Sequence, residues 1–188
     1  MVVGLSKALL SMFSEDLGVL AKKEALLESI GGDENVGGGY RMNFYPKCPE
    51  PELALGLSPH TDPGVMTVLL QDQVSGLQLN KDGVWISVPP LQDALTVLIA
   101  DQLEILSNGI YKSVNHRTIV NSEKERMSIA IFIYPEANKM IGPFEEVVKK
   151  RECSPLYTEM TFNEYRKIIR TSGLKGKAIL KSRFIKNT

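Results

Sequence analysis

The stretch Arg126 to Tyr134 reads R-M-S-I-A-I-F-I-Y, a run rich in isoleucine and aromatic residues and bare of glycine and proline. Such side chains fit a pleated surface, and a period of two puts Arg126, Ser128 and Ala130 on one face of a strand. An arginine turned inward along an apolar strand requires a buried anion, because the guanidinium stays charged. The alternative is an arginine on a solvated strand face, which the apolar company of Arg126 disfavours.

Outward from this run the same texture continues. Between Tyr40 and Tyr134 no helical period is present, and short β-rich runs alternate with turn residues: Arg41–Tyr45, Met66–Leu70, Leu77–Leu79, Trp85–Val88, Leu95–Ile99, Ser113–His116 and Met127–Tyr134. Seven or eight short strands predict a mainly β fold, a closed double-sheet barrel or sandwich. The flanks are helical. Leu5, Leu9, Met12, Phe13, Leu17 and Leu20 recur at helical spacing and predict one amphipathic helix to about Ile30, with a break near Gly18. Gly31, Gly32 and Gly37 to Gly39 read as a flexible connection outside regular structure. Asp101 to Asn108 reads as a short helix stopped by Gly109. Thr161 and Glu164 have capping-box spacing and open a helix to about Thr171, ended by Gly173. The expected division is 1–38 for helix and connection, 39–135 for the barrel, and 136–188 for a C-terminal extension with the capped helix.

Composition narrows the function. In 188 residues, 22 basic side chains balance 22 acidic ones, so no global field attracts nucleic acid or an anionic membrane, and a small-molecule partner is expected. Lys7 interrupts the first apolar run and no stretch reaches membrane-spanning length, which predicts a cytoplasmic protein. Cys48, in K-C-P, and Cys153 have neither zinc nor redox spacing and read as reduced thiols. Oligomeric state is not legible.

The chain holds two histidines. His60 precedes Asp62 in S-P-H-T-D-P; if that segment is extended, both side chains share one face and form a metal clip. His116 closes the alternating run Y-K-S-V-N-H, and a barrel can bring it beside the first pair. Two imidazoles and one carboxylate on one face of an octahedral ion leave positions open for a chelating 2-oxoacid and dioxygen, the arrangement of non-haem Fe(II) oxygenases. A structural zinc site would fill its shell with cysteine and histidine. An isolated H-x-D arises often by chance, and its weight comes from Arg126 and Ser128: a guanidinium and a hydroxyl suit the distal carboxylate of 2-oxoglutarate.

The succession Y-R-M-N-F-Y-P-K-C-P, H-T-D-P, G-L-Q-L, W-I-S-V-P-P, E-I-L-S-N-G-I-Y-K-S-V-N-H-R and R-M-S resembles the plant 2-oxoglutarate-dependent dioxygenases, from about Leu5 to Phe184. The resemblance implies a double-stranded β-helix (jelly-roll), Fe(II) on His60, Asp62 and His116, 2-oxoglutarate and O2 as co-substrates, and ascorbate as a supporting reductant. It further implies that Asn43 and Tyr45 contact 2-oxoglutarate; on residue chemistry alone Tyr45 is equally a core residue. Two departures stand out. Ala100 replaces the glycine usual before Asp101 and is expected to strain a turn if that position needs a positive φ. Enzymes of this kind also carry a further N-terminal region of comparable length, so a shortened product, a fragment or a subunit with an exposed apolar patch is expected.

L-G-L-S-P-H-T-D-P-G and M-T-F-N-E-Y-R-K-I-I-R-T-S-G-L-K-G-K are similar to the jasmonate-induced oxygenases, which hydroxylate jasmonic acid and hold its carboxylate with arginines. The matching positions are Arg41, Arg166 and Arg170, the last two sharing one helix face; a solvated basic face is the competing reading. The same chemistry on a flavonoid or alkaloid, a remnant without turnover, and a cupin-like binder are the alternatives.

Overall fold

The computed structural model describes residues 2–18, 24–173 and 176–185. The chain opens with helix α1 (Val2–Asp16), α2 (Ala25–Ser29) and α3 (Gly32–Asn35). The expected break is real, with Gly18 at φ 69°; Leu20 lies outside the described residues. The buried stripe of α1 is Ser6, Leu10 and Ser14, while Met12, expected on the apolar face, is 64% exposed. Ser14 lies on that stripe because its hydroxyl accepts the Leu26 N–H of α2, satisfying an otherwise orphaned helix donor.

Ten strands follow, interleaved with helices: β1 (Gly37–Tyr45), β2 (Leu55–His60), β3 (Met66–Gln71), β4 (Leu77–Lys81), β5 (Val84–Ser87), β6 (Thr96–Ile99), α4 (Asp101–Leu106), β7 (His116–Ile119), β8 (Arg126–Tyr134), β9 (Met140–Ile141), α5 (Glu145–Lys150), β10 (Met160–Thr161), α6 (Phe162–Ser172) and α7 (Ala178–Lys181). Eight of them form two four-stranded antiparallel sheets, ordered β1-β8-β3-β6 and β2-β7-β4-β5, with β9 and β10 as a separate ribbon. From β2 onward the chain passes back and forth between the sheets, the winding of a jelly-roll, and the expected mainly β fold with flanking helices is the one present. The barrel expected over 39–135 starts two residues earlier, at Gly37 with β1, and is not walled off from its flanks. One buried cluster joins Leu10 and Leu26 to Met66, Leu103 and Ile133, and on to Ile141, Tyr157 and Leu180.

Three expectations are corrected here. Gly37 to Gly39 are not a loop but the start of β1, paired with Tyr134, Ile133 and Phe132. They are tolerated because the sheet is tight: a Cβ on Gly38 would lie 3.1 Å from the Phe132 carbonyl. The Ser113–His116 run is displaced, since the strand begins at His116 and Ser113 turns its N–H to the Glu104 carboxylate. Ala100 is unstrained, being extended at φ −116° and ψ 176°, the ordinary geometry of a residue that caps α4. The capping box at Thr161 and Glu164 is formed as expected.

The outer face of the first sheet is bare over part of its area. Tyr40, Met42, Phe44, Leu70 and Met127 are exposed there, with β1 at the sheet edge. No helix among the described residues is long and apolar enough to cross a membrane. Cys48 and Cys153 are free thiols.

Candidate active site

Antiparallel pairing of β2 with β7 makes His60 and His116 cross-strand partners, which is how residues 56 positions apart come to share a site. Their ring centroids are 4.3 Å apart. Asp62 does not continue the strand, as an extended H-x-D would; it lies in the turn that leaves β2. The turn still aims it inward, with Oδ1 3.6 Å from His60 Nε2 and Oδ2 3.9 Å from His116 Nε2. One ligand atom from each of the three lies within 4.8 Å of the others, and all three residues are at most 9% exposed.

The rings are held in one tautomer. His60 Nδ1 donates to the Ser58 carbonyl at 2.8 Å and His116 Nδ1 to the Val114 carbonyl at 3.1 Å, so each Nε2 presents a lone pair to the centre. Burial and the neighbouring His116 ring both depress the His60 pKa, favouring the neutral, ligating form. Asp62 Oδ2 accepts the Thr67 hydroxyl at 2.5 Å, and the Asp62 carbonyl accepts the Asp101 N–H at 2.9 Å. This donor set of two neutral imidazoles and one carboxylate suits a divalent iron with open positions.

Strand β8 runs from one end of this cleft to the other. Arg126, Ser128, Ala130 and Phe132 of β8 line the cleft, and Tyr134, two residues further on, stacks its ring on Phe132. At the first end Arg126 is 2% exposed; its Nη2 donates to Gln71 Oε1 at 2.8 Å and its Nε to the Val74 carbonyl at 3.2 Å. Buried Nη1 has no partner among the described residues. A buried cationic donor without an acceptor is costly, and it fits an anion that enters the cleft. Register places Tyr45 opposite Arg126 and Asn43 opposite Ser128. The Tyr45 ring lies 5.2 Å from the guanidinium, and Asn43 Nδ2 donates to Ser128 Oγ at 3.4 Å. Both line the cleft, and Tyr45 is at once core and wall.

At the other end, helix α6 brings Arg166 over the Tyr134 ring, 5.4 Å from its centroid. Burial chiefly raises the Tyr134 pKa; the Asp62 carboxylate raises it further, and Arg166 and Arg170 oppose the shift, so all four groups share one field. Arg166 is half-buried and Arg170 exposed. Arg41, on β1, lines the cleft and its charge also lowers the His60 pKa. Of the three arginines expected at the substrate side, Arg41 on β1 lines the cleft, while Arg166 and Arg170 on α6 lie beside Tyr134. A roomier groove of about 480 Å³ lies between α1 and the first sheet, but its walls are apolar apart from Ser6, Lys7 and Asp33 and hold no metal-type cluster.

Four supporting residues were not singled out from the sequence: Thr67, Gln71, Asp101 and Tyr165. Thr67 and Gln71 carry a readable signal, since both lie on β3, the strand that pairs with β8, where polar side chains within an apolar run need inward partners. Asp101 and Tyr165 carry none, because their partners are set by tertiary packing.

A family model described as the 2OG-Fe(II) oxygenase superfamily matches residues 37–135. The chain belongs to that superfamily. Among curated relatives of this chain, jasmonate-induced oxygenase 2 of Arabidopsis thaliana is 52% identical over 96% of the chain and 48% of its own length. Jasmonate-induced oxygenase 1 of the same plant is 52% identical over 96% of the chain and 44% of its length. The chain thus spans about half the length of these relatives. The crystal structure of JOX2 in complex with 2OG, Fe and JA superposes with a TM-score of 0.92 at 50% identity, covering 98% of this chain and 54% of that protein. A rice dioxygenase for auxin oxidation superposes at 0.74 with 27% identity, over 93% and 60%.

Proposed function

We propose that this oxygenase uses Fe(II) on His60, Asp62 and His116, and 2-oxoglutarate on Arg126 and Ser128, to hydroxylate a small organic acid of the jasmonic acid type. The observation that carries the reading is the unpartnered, buried Nη1 of Arg126, a residue that lines the same cleft as the His-Asp-His cluster. The jasmonate assignment is supported by the 52% identity to jasmonate-induced oxygenases, by the JA of the JOX2 complex, and by the placement of Arg41, Arg166 and Arg170. A neutral flavonoid or alkaloid would leave those guanidiniums without a counter-charge.

Each residue has a definable task. His60, Asp62 and His116 would hold the metal on one face; bound iron would supply oxidation by O2, in which 2-oxoglutarate becomes succinate and CO2 and one oxygen atom enters the substrate. Arg126 and Ser128 would grip the distal carboxylate through charge-assisted bonds, with Asn43 fixing the serine hydroxyl and Tyr45 closing the floor. Thr67 fixes the Asp62 carboxylate against rotation. Phe132 and Tyr134 shape an apolar wall, and the three arginines would orient the acid so that one carbon faces the metal. The balance of 22 basic and 22 acidic residues supports a small-molecule partner rather than nucleic acid, and a cytoplasmic location is proposed with it. Succinate release by the iron-loaded protein with jasmonic acid, together with a product heavier by one oxygen, tests the reading; iron-dependent turnover on a neutral flavonoid alone would redirect it.

A further inference from the structure

Asp101 lies outside the ligand set, yet its carboxylate receives three hydroxyls at once. Oδ1 accepts Ser113 Oγ at 2.7 Å, and Oδ2 accepts Tyr165 OH at 2.7 Å and Thr61 Oγ1 at 3.2 Å. Its own N–H donates to the Asp62 carbonyl at 2.9 Å. Asp101 is 1% exposed and Tyr165 is fully buried, so water does not compete for these bonds. The three donors come from different parts of the fold. Thr61 stands between the two ligands of the H-T-D clip, Ser113 precedes the strand that carries His116, and Tyr165 is the residue before Arg166 on α6.

Resting on the function proposed above, we infer that Asp101 is a positioning residue that fixes helix α6, with Arg166 and Arg170, against the metal clip through one carboxylate. A helix packed only by apolar contacts can slide over a barrel mouth by small steps; a hydrogen bond to a buried charged acceptor sets one position. The Tyr165 hydroxyl is a suitable donor because burial and the Asp101 charge hold it strongly protonated. Thr61 and Tyr165 meet the same oxygen, so the loop bearing His60 and Asp62 and the helix bearing the arginines share one reference atom. Glu104, one turn along α4, repeats the device: it accepts the Ser113 N–H, Tyr157 OH at 2.9 Å and Lys177 Nζ at 2.8 Å, tying the segment after α6 to the same helix.

The test compares the parent chain with Asp101→Asn, Tyr165→Phe and Thr61→Val, each checked for folding by circular dichroism. Mn(II) is titrated as the metal probe, and jasmonic acid is titrated with Mn(II) and 2-oxoglutarate present. Tyr165→Phe should weaken jasmonate by about tenfold, the effect of one lost bond to a charged acceptor, with Mn(II) held within about twofold. Thr61→Val should reverse the pattern, weakening Mn(II) by about tenfold, and Asp101→Asn should weaken both. A purely structural carboxylate would lower the melting temperature without this split. Both affinities of Asp101→Asn within about twofold of the parent would overturn the inference, as would equal losses of both ligands in the two hydroxyl variants. If the parent does not bind jasmonate, the substrate reading fails alone, and backbone hydrogen exchange decides: residues 166–170 should exchange faster in Asp101→Asn and Tyr165→Phe but not in Thr61→Val. Equal protection in all four proteins sinks the inference.

Discussion

Gln71 of β3 and Arg126 of β8 are diagonal neighbours, Ser128 being directly opposite Gln71, and the 2.8 Å bond from Arg126 Nη2 to Gln71 Oε1 holds the guanidinium while buried Nη1 has no partner among the described residues. The arginine is held in place before an anion arrives. Replacing Arg126 by Ala should weaken 2-oxoglutarate binding by roughly 2 to 5 kcal/mol, the range for truncating a desolvated charge pair. Lys should recover only part of this because it lacks the planar fork. Isothermal titration with 2-oxoglutarate checks it, and unchanged affinity in the Ala variant would reassign the co-substrate site.

Gly76 offers a more selective perturbation. A Cβ there would lie 2.7 Å from Arg126 Cδ and 3.0 Å from the Ile119 carbonyl, so Gly76→Ala must displace the arginine stem. The expected result is weaker 2-oxoglutarate binding with metal affinity unchanged, measured by parallel titrations of both ligands.

For the metal, His60→Ala, Asp62→Ala and His116→Ala should each abolish stoichiometric Fe(II) binding. The faint visible band that anaerobic 2-oxoglutarate develops on the iron protein should vanish with it. Chelation should lower the melting temperature of the parent and leave that of the variants unmoved, because only a bound ion stabilises the fold by mass action. Metal analysis showing full iron in all three variants would refute the assignment.

Thr67→Val keeps volume but removes the hydroxyl on Asp62 Oδ2. Outer partners of this kind are worth about 10- to 100-fold in metal affinity. A metal titration showing less than about twofold change would mean that Asp62 needs no orienting partner.

At the substrate end, Arg166→Gln with Arg170→Gln should weaken jasmonic acid strongly while sparing 2-oxoglutarate decarboxylation in the absence of substrate. The methyl ester lacks the negative charge, so it should bind the parent poorly and respond little to the substitutions. Equal turnover of acid and ester by the parent would dismiss the anchoring role.

Much of this was legible because alternation and ligand chemistry are local. The row of Arg126 and Ser128 follows from the period of β8, and the His60, Asp62 and His116 cluster from the scarcity of histidine. Other parts were hidden by tertiary causes. Strand β2 went unread because Gly56 and Pro59 weaken a strand signal, and its pairing with β7 is irregular, with register shifts on both sides of Leu57. Gly37 to Gly39 look like loop until Phe132 and Tyr134 supply the partner strand. The Ser113 run alternates like a strand, but Glu104 captures its backbone. Helix α5 went unread although Glu145 and Glu146 in its first turn and Lys149 and Lys150 in its last carry a charge signal, and the β9–β10 ribbon, with two residues per strand, is too short to show a period.

The bare outer face of the first sheet has a colloidal consequence. Tyr40, Met42, Phe44, Leu70 and Met127 stand together beside the open edge of β1, and with 22 basic and 22 acidic residues the chain has no net charge to hold copies apart at neutral pH. A sticky face on an uncharged particle gives attraction without repulsion. Concentrated solutions of the isolated chain should scatter light increasingly as concentration rises, and added salt should not disperse the clusters. Charged substitutions at Met42 and Met127, which point away from the cleft, should restore monodispersity and leave the metal and 2-oxoglutarate affinities where they were.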